Sequence, residues 1–487
     1  MFELRPISLV VGYMLIALGT SMTVPALVDF ASDNRDWLGF VRAAALTIFT
    51  GLALVLAGRA PAGQSLPGLS LRQAFLLTSL SWIMISVFAA LPFIFVGADL
   101  SVPDAIFEAV SGFTTTGSTV ITGLDTIDPG TLLWRGLLQW AGGVGIVVTA
   151  IAVMPLLQVG GMQLFHMESS DRSDEKFLPR MTQVARTTGL IYLGLSLACA
   201  LSYWAGGMSA FEAIVHMMAT VSTGGFSTSD QSFANWNSVT LDVAAIVFMF
   251  LGALPIMLFW PAVHGKPMVL FGNSQVRAFF MITTAIIVIL TVFQWASGLH
   301  GVWQSLRYAA FSTVSMITST GFMNTDYGLW GPFATILFIC VMLLGGCSGS
   351  TAGGVKIFRV QVLYLAMVSQ IRRVLYPNGV YSARYNNRPL PDATISSVTG
   401  FLFLYLLTFA GSGLILATLG LDMTTAFSAA AAMLGNSGPG MGPIVGPAGN
   451  YSTLSPPQIW VLTLTMLLGR LELLTVYVLF LPRFWRT

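Results

Sequence analysis

Four times along this chain a stretch too short to cross a bilayer as a helix runs into a Thr/Ser-Gly pair, and a long apolar segment follows. The four strings are FTTTGST (Phe113 to Thr119), VSTGGFS (Val221 to Ser227), TSTGFMN (Thr318 to Asn324) and GNSGPGM (Gly435 to Met441). Aligned on Gly117, Gly224, Gly321 and Gly438, they recur at spacings of 107, 97 and 117 residues. Irregular backbone in hydrophobic surroundings needs partners for its N–H and C=O groups, from protein or from a water-filled cavity. One arrangement serves all four strings together: a pseudo-tetramer in which they meet around a single axis.

Composition places that arrangement in a membrane. Mean hydropathy is +0.79, and 9% of the 487 residues are charged, against about a quarter in soluble domains. Apolar runs such as Ile7 to Phe30, Trp37 to Gly58, Ile191 to Trp204, Val239 to Trp260 and Gly400 to Leu419 approach or exceed the roughly 20 residues a helix needs to span. The first run is longer than a signal h-region and lacks a small-x-small site before Asp33-Asn34-Arg35-Asp36, so it reads as a retained span. Cys199, Cys340 and Cys347 have neither disulfide nor zinc spacing and read as small packing residues.

The expected fold is an all-α polytopic membrane protein. Two N-terminal spans, about 7–30 and 37–58, occupy 1–70, and four units of span, short pore helix, filter string and span follow over 71–180, 181–272, 273–390 and 391–487. The short helices are expected at Pro103 to Phe113, Ser209 to Thr220, Val302 to Ile317 and Met423 to Leu434, the second spans at Leu132 to Leu157, Val239 to Val263, Trp330 to Leu365 and Gln458 to Leu481. That gives ten full spans in a pseudo-fourfold arrangement with four re-entrant pieces. Each short helix would turn its partly negative C-terminal end toward the axis, which favours a cation.

Charge sets the orientation. With both termini cytoplasmic, 17 of the 22 Lys and Arg fall on the inner side, Arg35, Arg42, Arg135 and Arg307 fall outside, and Arg470 lies within a span. Thirteen of the 20 acids, Asp29, Asp99, Glu108, Asp230 and Asp242 among them, fall outside, an acidic face that would concentrate cations at a pore mouth.

The strings suit a dehydrated monovalent cation. Their candidate ligands are Thr115, Thr116, Gly117, Ser222, Thr223, Gly224, Ser319, Thr320, Gly321, Asn436, Ser437 and Gly438. Glycine permits the left-handed angles that turn successive carbonyls inward. Carbonyl rings replace a hydration shell without a full negative charge, whereas calcium or magnesium would demand carboxylates, and none lies within the strings.

With these strings, QWAGGVGI (Gln139 to Ile146), GGCSGSTAGGVK (Gly345 to Lys356), NSGPGMG (Asn436 to Gly442) and LLGRLELLT (Leu467 to Thr475), the whole chain resembles the Trk/Ktr/HKT superfamily of potassium transporters. Within it, the likeness is to the TrkH/TrkG-type membrane subunits of bacterial potassium uptake. The resemblance implies one filter glycine per unit, K⁺ as the permeant ion with Na⁺ as a poorer one, and no organic cofactor. It also implies a bacterial cytoplasmic (inner) membrane location, a homodimer with one pore per subunit, and a cytoplasmic TrkA-like partner built of nucleotide-binding RCK domains. The basic loops Gln158 to Thr188 and Gln370 to Asp392 could dock that partner or meet anionic lipid; nothing points to nucleic acid.

Five glycines with Ser348, Ser350 and Thr351 make 345–354 unable to hold a helix in lipid. The resemblance makes this loop the gate, carried by Gly345, Gly346, Ser348, Gly349, Gly353 and Gly354. Lys356 and Arg359 beyond it would repel cations or anchor at headgroups. Arg470, alone in a span, should face a polar interior. Its obvious partners are loop carbonyls or Ser/Thr of the 345–354 segment, or Glu472; the resemblance places it at the pore below the filter as an electrostatic barrier or gate latch, with a static salt bridge to Glu472 as the alternative.

Two other function classes are weaker. Gly346-Cys347-Ser348-Gly349 imitates an intramembrane serine protease, but His166, His216, His264 and His300 all fall where they could not reach Ser348. The glycine run also lacks the phosphate-loop order. A carrier coupled to H⁺ or Na⁺ would show inverted repeats and buried acids, whereas these units run one way; coupling itself, like strict K⁺ over Na⁺ discrimination, stays open.

Overall fold

The computed structural model describes residues 3–59, 70–96, 100–152, 177–386 and 388–485. Asp99, most of the Gln158 to Thr188 loop and the end of the span expected to reach Leu157 lie outside the described residues. Among the described residues the regular structure is helical apart from one small hairpin, in which Arg384–Tyr385 pairs antiparallel with Arg388–Pro389. Leu197, Phe280, Phe403 and Leu414 stay exposed on the long helices, as a lipid-facing surface requires.

The two N-terminal segments cross closely because glycines line both. A Cβ on Gly12 would lie 2.7 Å from the Gly51 carbonyl oxygen, and one on Gly51 2.8 Å from that of Gly12. Small residues at such crossings let apolar helices approach without a hydrophobic driving force.

The four short helices form where expected: Val102–Phe113, Ala210–Val221, Val302–Ile317 and Met423–Gly435. Three begin with a side-chain cap, in which Ser101, Ser209 and Asp422 accept from the backbone N–H of Asp104, Glu212 and Thr425. Capping satisfies donors that otherwise stay orphaned where water is scarce. The core lies between these helices and the spans, and the fourth buries its alanine face, Ala426 and Ala429 to Ala432, completely.

Of the ten spans expected, the one over Leu132 to Leu157 forms the helix Pro129–Ala152, and its end lies outside the described residues. Among the described residues six helices are long and apolar enough to cross, Arg5–Ala31, Trp37–Gly58, Leu71–Phe95, Ala185–Ala205, Ser274–Ala296 and Asp392–Thr418. The span expected over Val239 to Val263 is bent by 98° between Val239–Gly252 and Ile256–Val263, and the last is bent by 110° between Pro456–Arg470 and Leu473–Phe480. Pro255 breaks the first bend, lacking the N–H that would continue the helix. At the second, Glu472 sits at φ +60°. The third unit breaks at the glycine run, as expected: Pro332–Leu344 stops, and helix resumes at Ile357–Leu375. Cys199 and Cys347 are buried packing residues, whereas Cys340 is exposed, against expectation.

Candidate functional site

Each short helix ends in the same backbone manoeuvre. Thr115, Thr223, Ser319 and Asn436 take φ between +51° and +56°, and Gly117, Gly225, Gly321 and Gly438 take φ between +81° and +89°. The residue between, Thr116, Gly224, Thr320 or Ser437, donates its N–H back to Ser111, Ala219, Ser315 or Ala432. The second string therefore sits one residue away from the alignment on Thr223-Gly224: its left-handed glycine is Gly225, and Gly224 takes the place of Thr116. The glycine-rich text of that string offered two registers, and only the dihedrals separate them.

The strings form a closed ring in chain order. A Cβ on Gly117 would strike the carbonyl oxygen of Gly224, one on Gly225 that of Thr320, one on Gly321 that of Ser437, and one on Gly438 that of Thr116. All twelve candidate ligand residues lie in this ring, and none is a carboxylate. Its oxygens are those of backbone carbonyls and of Thr and Ser hydroxyls, the donor set for a weakly held monovalent cation rather than for Ca²⁺ or Mg²⁺.

Side chains behind the ring fix its carbonyls. Gln139 donates from Nε2 to the Gly224 oxygen at 2.6 Å and accepts at Oε1 from the Phe226 N–H at 3.0 Å. One turn earlier Arg135 donates from Nε to Glu108 Oε1 at 2.8 Å and from Nη1 to the Ser227 oxygen at 3.0 Å. Glu108 in turn accepts from Thr119 Oγ1 and the Val120 N–H, each at 3.0 Å. At the next junction Asp242 pairs with Arg307 at 2.7 Å and accepts from Asn324 Nδ2 at 2.8 Å. The fourth string is held without charge. Ser118 Oγ and Tyr451 OH both donate to the Gly438 oxygen, at 2.7 and 3.0 Å, and Asn436 Nδ2 donates to Thr116 Oγ1 at 2.9 Å.

These contacts correct the charge map. Asp29, Glu108 and Asp242 are at most 1% exposed, so they are not mouth charges. Asp29 accepts from the Gly130 N–H, and Asp230 from those of Gly123 and Leu124. Arg135 and Arg307 are likewise partners of buried acids. A charge count along the sequence assigns each residue to a side of the membrane but cannot register that opposite charges cancel inside the protein.

Beneath the ring, residues 345–354 form an irregular loop docked into the break of the second unit. Cys347 donates its N–H to the Ala253 oxygen, Thr351 to that of Gly252, and Ile256 to that of Gly349. Each break thus supplies partners for the other's freed backbone groups, which is how non-helical chain persists at membrane depth. Gly345, Gly349 and Gly354 take φ between +75° and +78°. Gly346 packs on Ala253, and the Ser348 N–H donates to Gln275 Oε1 at 3.0 Å. The loop also touches the strings: the Gly353 N–H donates to Ser319 Oγ at 2.7 Å, and Thr223 Oγ1 to Thr351 Oγ1 at 3.2 Å.

Arg470 is buried and donates from Nη1 to the Thr351 oxygen at 2.9 Å, a carbonyl of the 345–354 loop. The alternative pairing with Glu472 does not form. Glu472 instead pairs with Arg359, whose guanidinium lies 3.7 Å over the Phe401 ring. Arg359 therefore neither repels ions from an open pore nor reaches headgroups. Lys356, at φ +72°, donates to the Ala352 carbonyl.

Sequence reasoning gave Gln139 and Arg135 no part in the site, counted Glu108 only as an outer charge, and passed over Tyr451. A signal was present for the first two: a polar pair four residues apart in an otherwise apolar span, hence on one helix face.

The model of the TrkH family, described as a cation transport protein, matches residues 42–487. The chain is 42% identical to the Trk system potassium uptake protein TrkI of Halomonas elongata, covering 99% of this chain and 97% of that one. It is 38% identical to the Trk system potassium uptake protein TrkH of Escherichia coli K12, with 99% of each covered. The crystal structure of the potassium transporter TrkH from Vibrio parahaemolyticus superposes with a TM-score of 0.90 at 33% identity over the whole of both chains. With six to eight helices able to span among the described residues and these likenesses over its full length, the chain belongs to the TrkH family of cation transport proteins and is a multi-pass membrane transporter, not an enzyme.

Proposed function

We propose that the chain takes up K⁺ through a channel-like pore whose selectivity filter is the ring of four strings. The observation that carries this reading is the closure of the ring in chain order, each left-handed glycine set against the next string's carbonyl. The curated relatives are named for potassium uptake, and oxygen ligands without carboxylates suit that ion. The units 71–180, 181–272, 273–390 and 391–487 then act as four quarters of one pore, and 1–70 braces the first through Asp29 and Gly130.

The loop 345–354 is the gate, and Arg470 its latch. The loop holds hydrogen bonds with the second and third strings, and Arg470 holds its Thr351 carbonyl. The helix Ile357–Leu375 leaves the loop directly, packs its first turn on the hairpin through Phe358 and Tyr385, and ends in Arg372, Arg373 and the exposed Val374 and Leu375. That basic, partly apolar end is a fitting contact for a cytoplasmic TrkA-like RCK subunit, with anionic lipid beside it. The inner-membrane orientation with both termini cytoplasmic, and a homodimer with one pore per subunit, complete the reading.

The test is ⁸⁶Rb⁺ uptake by purified protein in liposomes loaded with K⁺, Na⁺ or Li⁺. Uptake driven by internal K⁺ alone, lost as a preference in Gly321→Ser, supports the filter. Equal uptake with internal Na⁺ overturns strict selectivity. Uptake that requires an imposed H⁺ or Na⁺ gradient moves the reading to a coupled carrier. If the wild type is silent, the variant lacking 346–353 reports the open pore.

A further inference from the structure

We propose that the buried Glu108–Arg135 ion pair, with Gln139 one turn away, is a positioning device that sets ion discrimination by fixing the second string against the first. This inference rests on the ring being the filter. Arg135 is 1% exposed and Glu108 fully buried, each inside the protein rather than at a pore mouth. The two arms of Arg135 do different things: Nε holds Glu108, on the first short helix, and Nη1 holds the carbonyl of Ser227, the last residue of the second string. Its guanidinium also lies 4.1 Å over the Phe226 ring. Glu108 uses both oxygens on the far end of the first string, through Thr119 and Val120.

One rigid helix, Pro129–Ala152, therefore grips the second string at Gly224, Phe226 and Ser227, while its partner Glu108 grips the first at Thr119 and Val120. Gly117 of the first string stands directly against the Gly224 carbonyl. A ring of carbonyls discriminates ions of one charge through spacing and through how firmly that spacing is kept. The planar Arg fork holds a carboxylate and a carbonyl at once in fixed geometry. The remaining hydrogen bonds of the pair, which any buried ion pair needs, go here to the backbone and side chains of two neighbouring strings.

Arg135→Lys keeps the charge and can pair with Glu108, but a single ammonium cannot reproduce the fork. Purified full-length protein in liposomes is assayed for ⁸⁶Rb⁺ uptake against internal K⁺ and internal Na⁺, normalised to folded protein by size-exclusion chromatography and thermal melting. The expectation is that Arg135→Lys melts near the wild type while its preference for K⁺ falls about tenfold, mid-range for residues sharing one hydrogen-bonded network. The neutral double variant Glu108→Gln with Arg135→Gln, which leaves no lone buried charge, should fold and show the same loss. Wild-type discrimination in both folded variants overturns the proposal, as does a loss of flux that only tracks lost protein. Gly321→Ser separates the two levels. If it too leaves discrimination intact, the filter reading has failed and this proposal with it; if it abolishes discrimination while both Arg135 variants keep it, only the proposal has failed.

Discussion

Two halves of the same ring are held by different chemistry. Where the first string meets the second, and the second the third, buried ion pairs stand behind the backbone, Glu108–Arg135 and Asp242–Arg307. Around the fourth string the corresponding work is done by neutral groups: Ser118 and Tyr451 on the Gly438 oxygen and Asn436 on Thr116. Pro439, having no N–H, needs no acceptor there, while Phe226 in the second string donates to Gln139. Equivalent backbone geometry thus does not require equivalent support. A charged brace is directional and strong but depends on both partners, whereas a neutral one loses little when a single bond goes.

That contrast can be broken by removing one brace at a time and measuring thermal unfolding of purified protein. Glu108→Gln should be the most damaging, at about 3–5 kcal/mol, because it strands Arg135 in a buried site. Asp242→Asn should cost less, about 2–3 kcal/mol, since Arg307 remains 21% exposed and can recover solvent. Ser319→Ala, which deprives the buried Gly353 N–H of its partner, should cost about 1–2 kcal/mol. It should also raise flux through the resting protein, because it frees the loop from the third string. Tyr451→Phe should be mildest at about 1 kcal/mol, with Ser118 still bonded to Gly438. Equal costs for Tyr451→Phe and Glu108→Gln would erase the distinction between the halves.

Much of the architecture was legible because the membrane narrows the choices. The short helix Val302–Ile317 falls where Gly301 and the string at Thr318 bound it, and the break after Leu344 follows from glycines that cannot stay helical in lipid. The partner of Arg470 was legible in outline for the same reason: a lone buried cation needs oxygen, and the glycine-rich loop 345–354 offers it. The bends at Pro255 and Glu472 were missed because each lies within apolar text that hydropathy reads as continuous. The register of the second string was missed because Gly224 and Gly225 fit a Thr/Ser-Gly pattern equally well.

The sequence by itself determined that this chain is a polytopic helical membrane protein with four like short helices, each running into a glycine string, since twenty-residue apolar runs and recurrent short helices admit few other folds. Tertiary structure alone decided which charges are partners. Glu108 finds Arg135, and Glu472 finds Arg359 rather than the nearby Arg470. The physical reason is that a buried charge is governed by what packs against it in space, and residues 27 or 113 positions apart become neighbours only when the helices that carry them have docked.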